Sequence, residues 1–179
     1  MKVTQTDLPG VLIIEPKMFG DERGFFLETF HLQRYEQAGI GHAFVQDNHS
    51  RSRRNVLRGL HLQTRHPQGK LVRVARGEVF DVAVDLDPSS ATFGRWVGVI
   101  LSDQNGRQLY IPPGYAHGFV TLSEVADFEY KCTDFYDPES ESGVIWNDPD
   151  LAIEWPCSEP IVSAKDLKLP TLAALRLGR

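Results

Sequence analysis

Four ionisable side chains alternate with apolar residues in segments that have the pattern of β-strands: His61, Lys70, His117 and Tyr130. Every second side chain of a strand points to the same face, so each of these groups is predicted to face the interior with its apolar neighbours. Burying an ionisable group without a purpose costs free energy, so several that converge indicate a functional site. Imidazole, phenol and ammonium groups together suit acid–base chemistry.

Each group alone also has a simpler interpretation. A single inward His or Tyr is more often a core residue satisfied by one hydrogen bond, and Lys70 at a strand start could extend to water. Gln63 shares the face of His61, whereas Arg58 has the opposite parity unless a β-bulge near Gly59 resets the alternation. From alternation alone, the functional and the structural interpretations both stay open.

Ten short segments are predicted to be the strands that position these groups. Runs rich in Val, Ile, Phe and Tyr are separated by turn-forming residues, which is typical of a sandwich or barrel. The clearest alternation sets Phe80 and Val82 against Asp81 and Asp85, and Asn105-Gly106 predicts a tight hairpin turn. The ten segments are Val11–Glu15, Phe25–Phe30, Ala43–Asn48, Val56–Gln63, Lys70–Arg76, Glu78–Asp87, Arg95–Leu101, Gln108–Ile111, His117–Leu122 and Val125–Cys132.

So many strands in one chain predict two packed sheets. With 179 residues the chain has the size of one domain, here residues 1–179. We therefore predict an all-β fold, an antiparallel double-sheet jelly roll of the cupin-like kind. Short peripheral helices are expected near Leu32–Ala38 and Thr171–Leu177. A jelly roll can hold a ligand between its sheets.

The sequence bears on two further kinds of site, a metal centre and a phosphate site. Cupin metalloproteins carry two His separated by one residue where this chain has His61-Leu62-Gln63, and the sequence contains no His-x-His pair. Glutamine is a poor transition-metal ligand, so no metal is expected. The basic residues Arg51, Arg53, Arg54 and Arg58 suit either a solvated loop or a phosphate site, and a diphosphate fits better than a nucleic acid.

Composition excludes several classes of protein. The 19 Lys and Arg against 24 Asp and Glu give a net charge of −5, which argues against general affinity for nucleic acid or anionic membranes. The apolar runs are far shorter than the ~18 residues of a membrane span, and no signal peptide is visible at the N-terminus. Two cysteines, Cys132 and Cys157, are too few for a disulfide framework. We expect reduced thiols and a cytoplasmic protein.

Seven motifs follow one another along nearly the whole chain: Phe19–Glu28, Gln46–Ser50, Leu57–Gln63, Gln68–Val72, Ile111–Phe119, Tyr130-Lys131 and Ser163–Asp166. In order and spacing they resemble the dTDP-4-dehydrorhamnose 3,5-epimerase family. The resemblance implies a metal-free cupin jelly roll, a homodimer and no cofactor. It also implies a substrate, dTDP-4-dehydro-6-deoxy-D-glucose, whose C3 and C5 are inverted to give dTDP-4-dehydro-L-rhamnose.

The resemblance implies four catalytic residues. His61 would be the general base, Asp166 would orient it and stabilise its imidazolium, and Tyr130 would be the general acid. Lys70 would lie near the 4-keto oxygen, where the charge of an enolate gathers after a proton leaves C3 or C5. Because inversion needs a base on one face and a donor on the other, His61 and Tyr130 are expected on facing strands.

The resemblance also implies the substrate-binding residues. Arg58 and His117 would contact the diphosphate and the sugar, while Gln63, Glu141 and Lys165 match further binding positions. The nucleotide would be recognised by Arg23, Phe26, Glu28, Gln46, Asp47 and Asn48, the first three being candidates for donation by a partner subunit.

Other functions remain open from the sequence. Relatives in antibiotic deoxysugar pathways invert one centre with a similar residue set, so a C3 or C5 epimerase is the alternative. A nucleotide-sugar-binding jelly roll without turnover and a metal-dependent cupin enzyme are two further hypotheses.

Overall fold

The computed structural model describes residues 1–177 and contains 14 strands and two α-helices. In chain order they are β1 (Lys2–Gln5), β2 (Leu12–Glu15), β3 (Met18–Asp21), β4 (Gly24–Leu27), α1 (Leu32–Gln37), β5 (Gln46–Arg53), β6 (Val56–Gln63), β7 (Lys70–Arg76), β8 (Glu78–Asp85), β9 (Trp96–Ser102), β10 (Gln108–Ile111), β11 (Tyr115–Thr121), β12 (Val125–Cys132), β13 (Glu141–Gly143), β14 (Ile161–Val162) and α2 (Leu172–Leu177). A 3-10 turn over Asp166–Lys168 precedes α2. Within residues 1–177, neither helix has the length and apolar character needed to cross a membrane.

Two sheets face each other, which confirms the predicted jelly roll. The first sheet has the order β1-β2-β10-β7-β12-β5, and the second has the order β13-β6-β11-β8-β9 with β14 parallel to β6. Strands β3 and β4 form a separate two-stranded hairpin. Both helices are peripheral: α1 buries Tyr35 against the outer side of the first sheet, and α2 buries Leu172 under the second.

The structure differs from the sequence-based expectation in three local features. The short strands β1, β3, β13 and β14 carry too few residues for a recognisable alternation and were not predicted. Strand β5 continues to Arg53 rather than ending at Asn48, because it pairs with β12 over its whole length. The Asn105-Gly106 hairpin is wrong: β9 pairs with β8 in the second sheet, whereas β10 belongs to the first. The turn therefore crosses between the sheets.

The space between the sheets is only partly filled by apolar side chains. Val72, Val74 and Leu109 of the first sheet pack against Val79 and Phe119 of the second. A second cluster lies on the outer side of the second sheet, where the C-terminal segment covers it. Both faces of β8 are consequently buried, and the polar face expected from its alternation points into the interior.

A β-bulge in β6 brings Arg58 and His61 to the same side of the second sheet. His61 lies opposite His117, whereas Arg58 lies opposite Phe119, so the register shifts between them. Gly59 in the bulge has φ +116°, and a Cβ there would lie 2.6 Å from the Cα of Gly118. Only glycine fits such a backbone and such a close approach of two strands.

We expect Gly59→Ala to lower the free energy of unfolding by about 2 kcal/mol or more, because both the left-handed φ and the close contact penalise a Cβ. Urea denaturation measures this change. Gly41→Ala is the matched control, since nothing lies within 4 Å of its Cβ position. Equal stability of the two variants would contradict the bulge geometry.

Candidate active site

A cavity of about 540 Å³ opens between the two sheets. The second sheet and the C-terminal segment supply its His61, His117 and Asp166, and the first sheet supplies Lys70 and Tyr130. The alternation that predicts inward side chains at Lys70, His117 and Tyr130 thus agrees with the structure. The imidazole of His61 and the phenol of Tyr130 belong to facing sheets.

His61 and Asp166 form a close pair at this cavity. The Nε2 atom of His61 lies 2.8 Å from Oδ1 of Asp166, and the backbone N–H of Gly59 donates to Oδ2 at 3.2 Å. The Asp166 carboxyl is held at the start of the 3-10 turn, where its own backbone N–H donates to Ser163 Oγ. Burial is the largest single influence and opposes ionisation, but the His61 contact and the hydrogen bonds from Gly59 and Ser163 together outweigh it and lower the pKa of Asp166. The carboxylate therefore holds the ring and leaves Nδ1 free.

Lys70 and Tyr130 carry shifted pKa values that follow from their burial. Desolvation lowers the pKa of the Lys70 ammonium, while the neighbouring Cys132, Asp81 and Glu141 oppose that shift. Burial raises the pKa of the Tyr130 phenol, with Cys132 as the next cause. Tyr130 is therefore a protonated donor at neutral pH.

His117 forms a second His–Asp pair next to the first. Its Nε2 atom lies 2.9 Å from Oδ2 of Asp81, and the ring stacks on Phe128 at 6.0 Å between centroids. Burial lowers the pKa of His117, and the Asp81 contact only partly offsets this. A neutral ring that donates through Nε2 has an acceptor at Nδ1, which suits a sugar hydroxyl better than a phosphate.

Several predicted binding residues surround His61, Lys70, His117 and Tyr130. Arg58 lines the cavity and donates from Nε to Ser52 Oγ at 3.0 Å, which links the two sheets. An adjoining cavity of about 380 Å³ is lined by Gln46, Gln63, Asn48, Glu141 and Tyr136, among others. Lys165 lies 2.6 Å from Glu141, which also accepts from the Tyr136 hydroxyl.

Two of the predicted substrate-binding residues, Gln63 and Asp47, have side chains that are engaged by other parts of the protein. The Gln63 side-chain amide is engaged by three backbone groups, the carbonyls of His66 and Phe135 and the N–H of Asp137. It fixes two loops at the rim of the adjoining cavity. Asp47 points to the outer face of the first sheet, because it alternates with Gln46 and Asn48, and it pairs with Lys131 at 2.9 Å.

The single chain does not bring three predicted nucleotide-binding residues to the cavity. Arg23 and Phe26 lie on the β3–β4 hairpin, where Arg23 pairs with Asp21 and Phe26 is 68% exposed. Glu28 follows the hairpin and pairs with Arg34.

Sequence reasoning missed Asp81 and Tyr136. Asp81 is fully buried beside His117, although its alternation with apolar residues is equally typical of a solvent-facing position. Tyr136 lies in a loop, where no alternation of apolar and polar residues predicts the direction of a side chain. An aromatic residue in a polar segment is the one sequence signal that could have identified it. Within residues 1–177, His, Cys, Asp and Glu side chains form no group of three suited to a metal ion.

Three comparisons with known proteins each match this chain over almost its whole length. A family model described as dTDP-4-dehydrorhamnose 3,5-epimerase matches residues 5–174. The dTDP-4-dehydrorhamnose 3,5-epimerase of Salmonella typhimurium is 59% identical over 175 residues, which is 96% of each chain. The crystal structure of dTDP-6-deoxy-D-glucose-3,5-epimerase from Legionella pneumophila, in complex with dTDP-4-keto-L-rhamnose, is 56% identical with a TM-score of 0.93 and covers 96% of this chain and 93% of that one.

One more distant relative has a narrower name. The dTDP-4-dehydrorhamnose 3-epimerase of Streptomyces niveus is 40% identical, over 98% of this chain and 86% of the relative. The family model and the two closely similar proteins cover almost all of the sequence that builds the two sheets and the cavity. The chain belongs to the dTDP-4-dehydrorhamnose 3,5-epimerase family.

Proposed function

We propose that this chain is an isomerase that inverts C3 and C5 of dTDP-4-dehydro-6-deoxy-D-glucose to give dTDP-4-dehydro-L-rhamnose. One observation carries the proposal: the His61–Asp166 pair and the Tyr130 phenol line the same cavity from opposite sides, with Lys70 beside them. A base and an acid on facing sheets can act on opposite faces of one sugar ring, which is what inversion requires.

The reaction begins at a carbon next to the C4 ketone. Nδ1 of His61 takes the proton from C5 or C3, and Asp166 stabilises the imidazolium that results. The electron pair of the broken C–H bond moves onto the C4 oxygen as an enolate. The Lys70 ammonium stabilises this charge, and the effect is strengthened because Lys70 itself is desolvated by burial.

The second half of each inversion is protonation from the opposite face. The Tyr130 hydroxyl gives its proton to the carbanionic carbon, and the enolate collapses back to the ketone. Exchange with solvent then removes the proton from His61 and returns one to Tyr130. The same two groups serve C3 and C5, since both carbons lie next to C4.

The neighbouring residues bind the rest of the substrate. Arg58 suits the diphosphate, because a guanidinium forms paired hydrogen bonds with phosphate oxygens. His117, as a neutral ring with a free acceptor, suits a sugar hydroxyl. Gln46, Asn48 and Glu141 line the adjoining cavity, which we assign to the nucleotide. Lys165 lines the first cavity and lies 2.6 Å from Glu141.

Solvent exchange tests the proposed function. The sugar nucleotide is incubated with the enzyme in deuterated water, and NMR follows deuterium at C3 and C5 and the configuration of the product. Deuterium at both carbons with a rhamno-configured product is expected. Inversion at one carbon would support the single-centre alternative, and no exchange at either would support a binding protein without turnover.

A homodimer is part of the proposal, and the β3–β4 hairpin supports it. The hairpin stands outside both sheets, and it exposes Phe19, Phe25 and Phe26 by 53%, 60% and 68%. Exposed aromatic side chains next to a charged Arg23 are typical of a contact surface. We propose that each hairpin reaches the adjoining cavity of the partner subunit and supplies Arg23, Phe26 and Glu28 there.

Subunit complementation tests this exchange. Co-expressed Arg23→Ala and His61→Asn chains form mixed dimers, in which one site combines an intact His61 with the partner's intact Arg23. Random pairing predicts recovery of about a quarter of wild-type activity per chain, because half of the dimers are mixed and each has one working site. If Arg23 acted within its own chain, the mixture would be no more active than Arg23→Ala alone.

We also propose that the reaction needs no bound metal or redox cofactor and takes place in the cytoplasm. Within residues 1–177, the cavity His rings belong to no group of three His, Cys, Asp or Glu side chains that could hold a metal ion. Cys132 and Cys157 are free thiols, which suits a reducing compartment. Dialysis against EDTA should leave the rate unchanged, and cell fractionation should recover the activity with cytosolic markers.

A further inference from the structure

Asp81 is a buried carboxylate next to the catalytic cavity, and the proposed reaction gives it no task. It lies on β8 with no exposed surface, and its Oδ2 is bound to Nε2 of His117. Its Oδ1 is buried and has no hydrogen-bond partner within residues 1–177. An unpaired buried carboxylate oxygen costs free energy, so its retention calls for a physical reason.

Asp81 ends a row of four side chains that crosses the second sheet. The order is Asp166, His61, His117 and Asp81, and the two His residues are directly opposite each other on β6 and β11. The Lys70 ammonium faces this row from the first sheet, and it lowers the pKa of His117 by charge repulsion.

The groups that act electrostatically on Lys70 come from several elements. They are Cys132 on β12, Asp81 on β8, Glu141 on β13 and His117 on β11. Burial raises the pKa of the Cys132 thiol, so this group is neutral at physiological pH. Glu141 is already engaged by Lys165 and Tyr136. Asp81 is therefore the carboxylate near Lys70 that keeps a free oxygen.

We propose that Asp81 is a positioning residue that fixes His117 with its proton on Nε2 and supplies the buried negative charge that keeps Lys70 protonated. The inference rests on the roles proposed above for Lys70 and His117. It gives a reason for the oxygen without a hydrogen bond, because the charge of Asp81 stabilises the Lys70 ammonium on the facing sheet. It also explains why β8 carries a polar face towards the interior.

The proposal has a defined consequence for the pH dependence of catalysis. Lys70 acts as an ammonium, so the rate falls as the pH rises through the pKa of Lys70, which burial has already lowered. The negative charge of Asp81 raises that pKa. Removing the charge must lower it further, so the alkaline limb of the kcat profile moves to lower pH.

The test is the pH profile of Asp81→Asn, which keeps the side-chain volume and removes the charge. We expect the alkaline limb to move down by about one unit or more, with dTDP affinity changed less than about threefold. Asp81→Glu should keep the limb near its wild-type position, since the charge remains. Asp85→Asn is the matched control: this buried carboxylate on β8 is bound by Ser90 and Thr92, and its loss should leave the limb in place.

Each outcome bears on a separate claim. An unshifted alkaline limb in folded Asp81→Asn overturns the inference, provided that Lys70→Met has the large loss of kcat expected for it. Full activity of Lys70→Met would instead overturn the proposed role of Lys70. If Asp81→Asn alone does not fold, the double variant with Lys70→Met should fold, because it no longer buries an uncompensated ammonium. A double variant that also fails to fold would contradict the inference.

Discussion

Replacing His61 with asparagine is expected to lower kcat by about 10³-fold, the middle of the range for loss of a general base. Asparagine can keep a hydrogen bond to Asp166, which lies 2.8 Å from the His61 ring, but it cannot accept a proton from carbon. Both epimerisation and solvent exchange at C3 and C5 should be lost together. NMR in deuterated water measures both, and calorimetry measures dTDP binding, which should change little.

His66→Asn is the matched control for this substitution. His66 lies in the loop after β6 with φ +51°, a conformation that asparagine tolerates well. Its activity should equal that of the wild type. Exchange at C5 that persists at a near-normal rate in His61→Asn would assign the base to another group, and the second ring in the cavity, His117, would be the first candidate.

Replacing Lys70 with methionine is expected to lower kcat by about 10²- to 10³-fold, as the removal of one group that stabilises an oxyanion does. Methionine keeps an unbranched side chain that is only one atom shorter, and it removes the charged ammonium group. Because the enolate itself loses its stabilising charge, solvent exchange should fall as much as product formation does. The Lys70 charge also lowers the pKa of His117, so ¹⁵N-NMR should show a raised His117 pKa in the variant.

Lys131→Met controls for the loss of a lysine from the same sheet. Lys131 points to the outer face of β12 and pairs with Asp47, so this variant should retain full activity. A Lys70→Met enzyme with more than half of the wild-type exchange rate would show that the enolate is stabilised elsewhere. Arg58, a further cation that lines the same cavity, would then be the first group to replace.

The directions of several site residues could be predicted from the sequence because alternation is a local property. Lys70, His117 and Tyr130 share a parity with apolar neighbours, and that parity decides which side chains meet between two sheets. The position of Arg58 could not be predicted in this way. Its direction depends on the bulge at Gly59, where β6 and β11 approach closely and the register of their pairing shifts.

The rest of the site depends on distant parts of the chain. Asp166 reaches His61 across 105 residues, and no periodicity marks it. The two faces of β8 also depend on a distant segment. Trp155 of the C-terminal segment covers Phe80 on the outer face, so the opposite face, which carries Asp81, points into the interior. A strand with one apolar and one polar face predicts a solvent-exposed side unless the covering segment is known.

The separate β3–β4 hairpin also has a consequence for how the rate depends on the amount of enzyme. Under the proposed exchange, a dissociated chain keeps its His61, Tyr130 and Lys70 but loses the partner's grip on the nucleotide. Proton transfer would remain intact while KM rises, and mass action makes this change reversible on concentration. Dilution would therefore raise the apparent KM and leave kcat unchanged, as a competitive inhibitor does. A high substrate concentration would restore the rate, and it would also favour the dimer because the dimer binds substrate more tightly.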